Sequence, residues 1–557
     1  MIEAKANPVL VVGLAGVNWT DLVARLTAQT LPILASVLRS GAAGPLVAPG
    51  PVVGAARWAT LVTGLSATDH GVITPTEPWA GGLRPTSAAS WRVAPLWARL
   101  AQAGLRTGSV GWPASRPGAH WPGDHVDDGF AIANGMTWND WAMAPDAVPP
   151  ALREDLRAVR MHPHDVTGDM LAPFVPALAS IDQTRDHRLV TLAIALARLS
   201  SEHAAALELL GSQSYEAFFV QHDWLSDITR TFAGAAPPYA GVVNAAWTLL
   251  DQLIGRLLTV AADRTVLLAG LGEGGEPGVL IAAGPTIAPG KIAGATLADL
   301  APTILRCLGL ADPTLPGRAL LPGPSTSRSL PPAAPPHAAP PHNADDLARV
   351  AALGLRPPVA KAAMQARHLG VQAEALLLSD TAAARRLAEE ALALAPDDVL
   401  PLGVLAAASV LANEVELLEP LADRLTALAP DHPWLPLIEG ARHVLRGDAS
   451  AARPHLTLVE QGDRPDLTLR AGMLWLTAAR PSDAERCARR VLSARPGHVD
   501  ALVLLARSLA MHPAEAEATW KSVLALDPAS PIAREGLGHL LRRLGRSHEA
   551  DALEAAG

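Results

Sequence analysis

Hydrophobic and polar positions follow two regimes along the chain. Up to about residue 322, short apolar runs alternate with longer stretches of helical period. Val9–Val12 is uninterrupted apolar sequence and predicts a buried strand. From Trp19 to Arg39, apolar residues at Leu22, Leu26, Leu31, Leu34 and Val37 predict a helix. Further strands are predicted at Phe218–Val220, Thr265–Leu268 and Val279–Ala282, with helices at Ala245–Leu258 and Leu297–Leu308. This alternation predicts an α/β fold, a mostly parallel sheet flanked by helices. Residues 75–180 are loop-rich and hold Trp79, Trp91, Trp97, Trp112, Trp121, Trp138 and Trp141. Packing of irregular chain accounts for such a concentration more simply than ligand stacking does.

The second regime is nearly all helix-forming, and it repeats. An apolar phrase ending in proline recurs at Pro396, Pro430, Pro465, Pro496 and Pro528, each proline closing one amphipathic helix shortly before the next begins. A helix pair of about 34 residues cannot bury its own apolar face, so stacking into an all-α solenoid with a concave groove is predicted. Between the regimes lies Leu330-Pro-Pro-Ala-Ala-Pro-Pro-His-Ala-Ala-Pro-Pro-His342, whose proline pairs fix φ and remove donors. The predicted organisation is therefore an α/β domain at 1–322, with 75–180 as a cap, a linker at 323–343 and a helical-repeat domain at 344–557.

Composition narrows the function. The 557 residues carry 45 basic against 54 acidic side chains. The densest basic group, Arg542, Arg543 and Arg546, is too small for a nucleic-acid footprint. Neither nucleic acid nor membrane insertion is expected, and Pro8–Gly13 is too short for a signal segment or a span. The two cysteines, Cys307 and Cys487, lie in different predicted domains, which excludes a cysteine zinc site and fits a reducing, cytoplasmic setting.

The N-terminal stretches VLVVGLAGVNWTDLVARLTAQTLPILASVLRSG (from Val9) and WATLVTGLSATDHGV (from Trp58) resemble the type I phosphodiesterase and nucleotide pyrophosphatase branch of the alkaline phosphatase superfamily. So do WARLAQAGLRTGSVGWPASRPG (from Trp97) and the domain-closing GATLADLAPTILRCLGL with LPGRAL (from Gly294 and Leu315). The resemblance spans about 8–322 and is most specific over 9–71. It is closest to the bacterial branch in which this domain precedes tetratricopeptide (TPR) repeats, and the phrases ALALAPDD and LALDPAS resemble those repeats.

That resemblance implies an alkaline-phosphatase-like fold and two divalent cations, usually zinc, which clamp a phosphoester between carboxylate and imidazole ligands. A metal-activated Thr or Ser is the nucleophile. Carried over residue by residue, the first Asp falls on Ala15 and the nucleophile on Gly54. An Asp and a His four residues apart fall on Ser226 and Arg230, the next Asp-His pair on Leu271 and Gly272, and the last His near Gly274. No competent ligand or nucleophile survives at the seven positions, so the resemblance implies a pseudoenzyme that uses no cofactor.

Other readings of these residues compete. Gly270–Gly275 fits G-x-G-x-x-G, but the fingerprint must open a helix, and here Pro277 and a strand-like run follow. Asp223 and Asp227, beside His222, could form a displaced ligand pair or be structural polar residues at a strand end. His70 is expected in a turn, and His162 and His164 in a surface loop. Arg230 places a fixed cation where the family has a ligand, so it is either an anion-binding group or the partner of Asp223 or Asp227. Three functions follow: an inactive platform whose TPR groove binds a protein partner, a metal-dependent phosphodiesterase or phosphatase with displaced ligands, or a non-hydrolytic binder of a phosphorylated ligand.

Overall fold

A computed structural model describes residues 7–555 except 49–53, 80–81, 132–142, 144–146, 273–275, 325–326, 332–358, 378, 463, 495, 510 and 527–529. Gly274, Trp138, Trp141 and most of the proline-rich linker lie outside the described residues. The chain forms two compact units, Met1–Ala375 and Leu376–Gly557.

In the first unit, β1 (Val9–Ala15) and β2 (Ala42–Val47) precede a hairpin of β3 (Thr76–Trp79) and β4 (Gly82–Pro85). Then follow β5 (Thr107–Trp112), β6 (Asp124–Asp127), β7 (Ala217–His222), β8 (Thr265–Leu271), β9 (Gly278–Ala283), β10 (Gly290–Lys291) and β11 (Ala295–Thr296). The main sheet has the order β10-β2-β9-β8-β1-β7-β5-β6, with β11 also on β2. All its pairings are parallel except those of β9 with β2 and β8. Central strands are apolar without interruption because both faces are covered. Leu10, Val12, Phe218 and Val220 enter one core, while Val9, Val11, Ala217 and Phe219 enter the other.

The single helix predicted over Trp19–Arg39 is two, α1 (Trp19–Thr27) and α2 (Pro32–Ser40), bent by 105°. Pro32 has no N–H, so it interrupts a running helix but suits the first position of a new one. Asp251 supplies the cap that Leu31 cannot, accepting hydrogen bonds from Ile33 N (3.1 Å) and Leu34 N (2.8 Å). The loop-rich region contributes β5 and β6 to the sheet itself. Trp91, Trp97, Trp112 and Trp121 are buried in edge-to-face contacts at 5.8–6.2 Å. These four tryptophans are packing residues. The helix Val359–Leu376, as far as Ala375, belongs to this unit, and its buried His368 lies 2.8 Å from Thr74 Oγ1.

The second unit is a stack of antiparallel helix pairs, the solenoid that the period predicts. One helix of each pair starts at Val399, Leu435, Pro465, Val499 and Pro531; the others start at Thr381, Val415, Ala449, Pro481, Pro513 and Ser547. Glycines allow close approach within and between pairs: a Cβ on Gly440 would lie 2.3 Å from Leu456 Cδ2 of its own pair, and one on Gly472 would lie 2.4 Å from Leu504 Cδ2 of the next. Asp380 and Asp448 cap helix starts through Ala383 N and Ala451 N. Successive repeats are also joined by ion pairs: Arg453–Asp483, Arg486–Glu460, Arg489–Glu515 and Arg546–Glu517. Pro396, Pro430 and Pro496 follow helices ending at Leu394, Leu428 and Ala494. Pro465 does not close a helix; it opens Pro465–Thr477, where the missing N–H costs nothing. Pro528 lies outside the described residues.

Candidate functional site

The carboxyl ends of β1, β8 and β7 form the edge where an open α/β sheet keeps its site. Helix α3 (Gly54–Thr63) and helix α9 (Trp224–Phe232) reach the same edge. Ala15 is in register with Leu271 on β8, and Gly16 N donates to the Leu271 carbonyl at 2.8 Å. Gly16 has φ +83°, and a Cβ there would stand 2.7 Å from Ser226 N at the start of α9. Positions 15, 226, 271 and 272 therefore meet in space. Gly54 opens α3 with nothing within 4 Å of where its Cβ would be, and Arg57, one turn later, donates from Nη1 to the Gly272 carbonyl at 3.0 Å.

Ala15 and Leu271 present apolar side chains at this edge. Leu271 is buried, and Ala15 packs against the core cluster that contains Leu271, Ala55 and Trp58. Trp58 leans on β1 so closely that a Cβ on Gly13 would lie 2.8 Å from its ring. A pair of divalent cations requires carboxylate or imidazole donors, and alanine, leucine and glycine supply none. Arg57 places a guanidinium here, buried to 6 % exposure and of the wrong sign to bind a cation. The described residues at this edge do not fit the family's metal pair.

Arg230 is not at this edge in a free form. Its side chain is 68 % exposed and makes an ion pair with Asp227, one turn earlier on α9. Asp223 is also engaged: it accepts from Arg198 Nη2 at 3.1 Å and Gln221 Nε2 at 3.2 Å. Arg198, from helix α8 (Arg188–Ser212), also binds Glu202 at 2.9 Å, and Glu202 before all else raises the arginine's pKa. His222 Nδ1 lies 4.0 Å from Glu202 Oε2, and its ring centroid is 5.7 Å from that of buried His203. Burial first, then His222 and Arg256, push His203 down to about 3. Among the described residues, no three His, Cys, Asp or Glu side chains converge closely enough to hold a metal ion. Asp223 and Asp227 thus sit in an arginine-neutralised polar cluster, as structural residues at a strand end do.

The remaining candidates have structural roles. Gly270 and Leu271 belong to β8, and the next described element is the antiparallel strand β9 rather than a helix, so the dinucleotide fingerprint is not met. His70 is buried, accepts from Val72 N at 3.2 Å and lies 3.1 Å from Thr60 Oγ1, closing the turn after α3. His164 is exposed in a turn, whereas His162 is buried, its Nδ1 capping the turn Pro163–Asp165 by accepting from His164 N. Arg57 and Arg198 were not singled out from the sequence; an isolated arginine in an apolar helical run was the available signal.

The first unit matches a known family. Residues 9–270 match the family described as type I phosphodiesterase / nucleotide pyrophosphatase. The first unit accordingly carries a domain of that family, and a TPR-type helical region follows it. No curated protein matches the chain. Among solved structures, the human IFIT1 dimer with PPP-AAAA is similar at 12 % identity and TM-score 0.30, over 34 % of this chain and 48 % of that one. The chain thus spans about half the length of that IFIT1 structure. PilW, a type IV pilus biogenesis factor, is similar at 17 % identity and TM-score 0.29, over 34 % of this chain and 91 % of that one. PilF of Pseudomonas aeruginosa is similar at 14 % identity and TM-score 0.28, over 35 % and 90 % respectively.

Proposed function

We propose that this chain is a catalytically inactive member of the phosphodiesterase family that acts as a scaffold, with its helical repeats binding a protein partner. The observation that carries the reading is the packing of Ala15 and Leu271, two family ligand positions, into one apolar cluster with Ala55 and Trp58. A site that used metal would leave polar donors there, facing solvent or substrate. With no cluster of metal-binding side chains among the described residues, the stacked helix pairs are the part of the chain suited to recognition, since solenoids bind extended or helical peptides. A reducing compartment such as the cytoplasm belongs to the same proposal and is supported by Cys307 and Cys487, both buried and unpaired.

Elemental analysis after equilibration with zinc or manganese, together with hydrolysis of nucleotide and generic phosphodiester substrates, tests the inactive reading. The expected result is neither bound metal nor turnover. Close to two ions per chain with chelator-sensitive hydrolysis would establish the displaced-ligand phosphodiesterase instead. For the scaffold half, cross-links between a co-purified partner and the full chain should map to 376–557. Cross-links confined to the first unit would move the binding surface there.

A further inference from the structure

We propose that Arg57 takes over the structural task of the family's cations, tying α3 to the end of β8 with a guanidinium where a metal would otherwise join them. The inference rests on the inactive reading and goes beyond the absence of ligands: it assigns what holds this edge together.

A metal at this edge would cross-link the segments that contribute its ligands, and losing every ligand would leave those segments joined only by packing. Arg57 restores a polar link. It lies one turn from Gly54, the nucleophile position, and donates to the carbonyl of Gly272, one of the ligand positions, at 3.0 Å. At 6 % exposure it is shielded from water, so its hydrogen bond is not weakened by solvent as a surface pair is. Arginine suits the task because it stays charged when buried and offers a fork of donors from a fixed position. Its neighbours complete the closure from the apolar side, Trp58 against Gly13 and Ala55 in the cluster with Leu271. Gly16 closes the opposite side against the Ser226 backbone. Charge, packing and close backbone approach thus meet at one edge, and a cation of the chain's own there takes over the link that a bound ion would make.

The test uses the full chain, with Arg57→Met and Arg57→Lys, and reads hydrogen exchange at Gly16 and Leu271 with thermal unfolding. The Gly16 amide is informative because it donates to the Leu271 carbonyl, so it reports directly on the β8 end. In wild type, chelator and added zinc should leave both readouts unchanged. Arg57→Met should raise exchange at Gly16 by about ten- to a hundredfold, the factor for losing one charge-assisted hydrogen bond, and Arg57→Lys by a smaller factor. Should Arg57→Met fail to fold, Arg57→Lys carries the test: raised exchange at Gly16 supports the assignment, and wild-type exchange overturns it. A metal-free wild type with unchanged exchange in the variants overturns only the assignment of Arg57. Stoichiometric zinc whose removal loosens Gly16 also overturns it, and zinc-dependent hydrolysis would refute the inactive reading as well.

Discussion

Acid should unfold the first unit within a narrow range of pH, and three buried histidines set the range. Burial holds His70 at about 3, His125 at about 4 and His203 at about 3, against 6.5 for an ordinary imidazole. Each is neutral in the fold and protonated more readily in the open chain. Their contribution is therefore complete above pH 6.5 and is lost as pH falls towards the folded values. The loss is about 1.4 kcal/mol per pH unit for each histidine. Asp127 works in the opposite direction: burial, then Asp128, raise it to about 7 from 3.8, against the pull of Arg116. It gains one proton's worth of stability as pH falls through that interval. Three histidines against one aspartate approach a net slope of about 2.7 kcal/mol per unit, or about 3 kcal/mol between pH 6.5 and 5. That is a large share of the roughly 5–15 kcal/mol that holds a domain together. Urea titrations at pH 7.5, 6.5, 5.5 and 5.0, with exchange at β1 and β7 locating the event, would measure it. His203→Leu sharpens the test, because no hydrogen bond is lost with the imidazole. That variant should match wild type near pH 7.5 and exceed it by about 2 kcal/mol at pH 5. Flat stability from pH 7.5 to 5, or an unchanged slope in His203→Leu, would refute the argument.

Two further outcomes follow from packing. Arg99 and Asp312 form a buried ion pair at 2.7 Å. Burial opposes ionisation of Asp312, but hydrogen bonds from Thr314 and Arg99 outweigh it and keep its pKa low. Arg99→Met should cost about 3–5 kcal/mol by stranding that carboxylate, and adding Asp312→Asn should recover part of the loss in urea denaturation. In the second unit, Gly440→Val should cost about 1–3 kcal/mol by overpacking, because its Cβ would meet both Cδ2 and Cγ of Leu456. A melt of the helical signal unchanged from wild type would show that this helix pair is not closed at Gly440.

What was legible in the sequence was whatever rests on periodicity. Val9–Val12 is apolar on both faces because β1 lies between β7 and β8, and the helix pairs follow from a spacing that several repeats state independently. That Ala15 and Leu271, to which the resemblance assigns family ligands, carry no donor could be read directly, since neither side chain has a polar atom. Breaks made by one residue were harder. Pro32 and Pro465 each open a helix, and proline reads alike before a helix and after one until the partners of the neighbouring N–H groups are known. Long-range polar partners were not legible at all. Arg57 finds the Gly272 carbonyl 215 positions away, whereas Arg230 settles on Asp227 within its own helix. Local sequence ranks the two arginines alike, and only the tertiary fold buries one and exposes the other.

The charges that join neighbouring repeats bear on how such an array changes length. The helix Ala449–Gln461 offers Arg453 and Glu460 to the repeat that follows, and Pro481–Ala494 answers with Asp483 and Arg486 while passing Arg489 on to Glu515. Pro481–Ala494 is therefore tied by charge on both sides. Removing or inserting a unit there parts each of these charges from its present partner, so the array changes length without loss only where the new neighbours bring opposite charges to the joint.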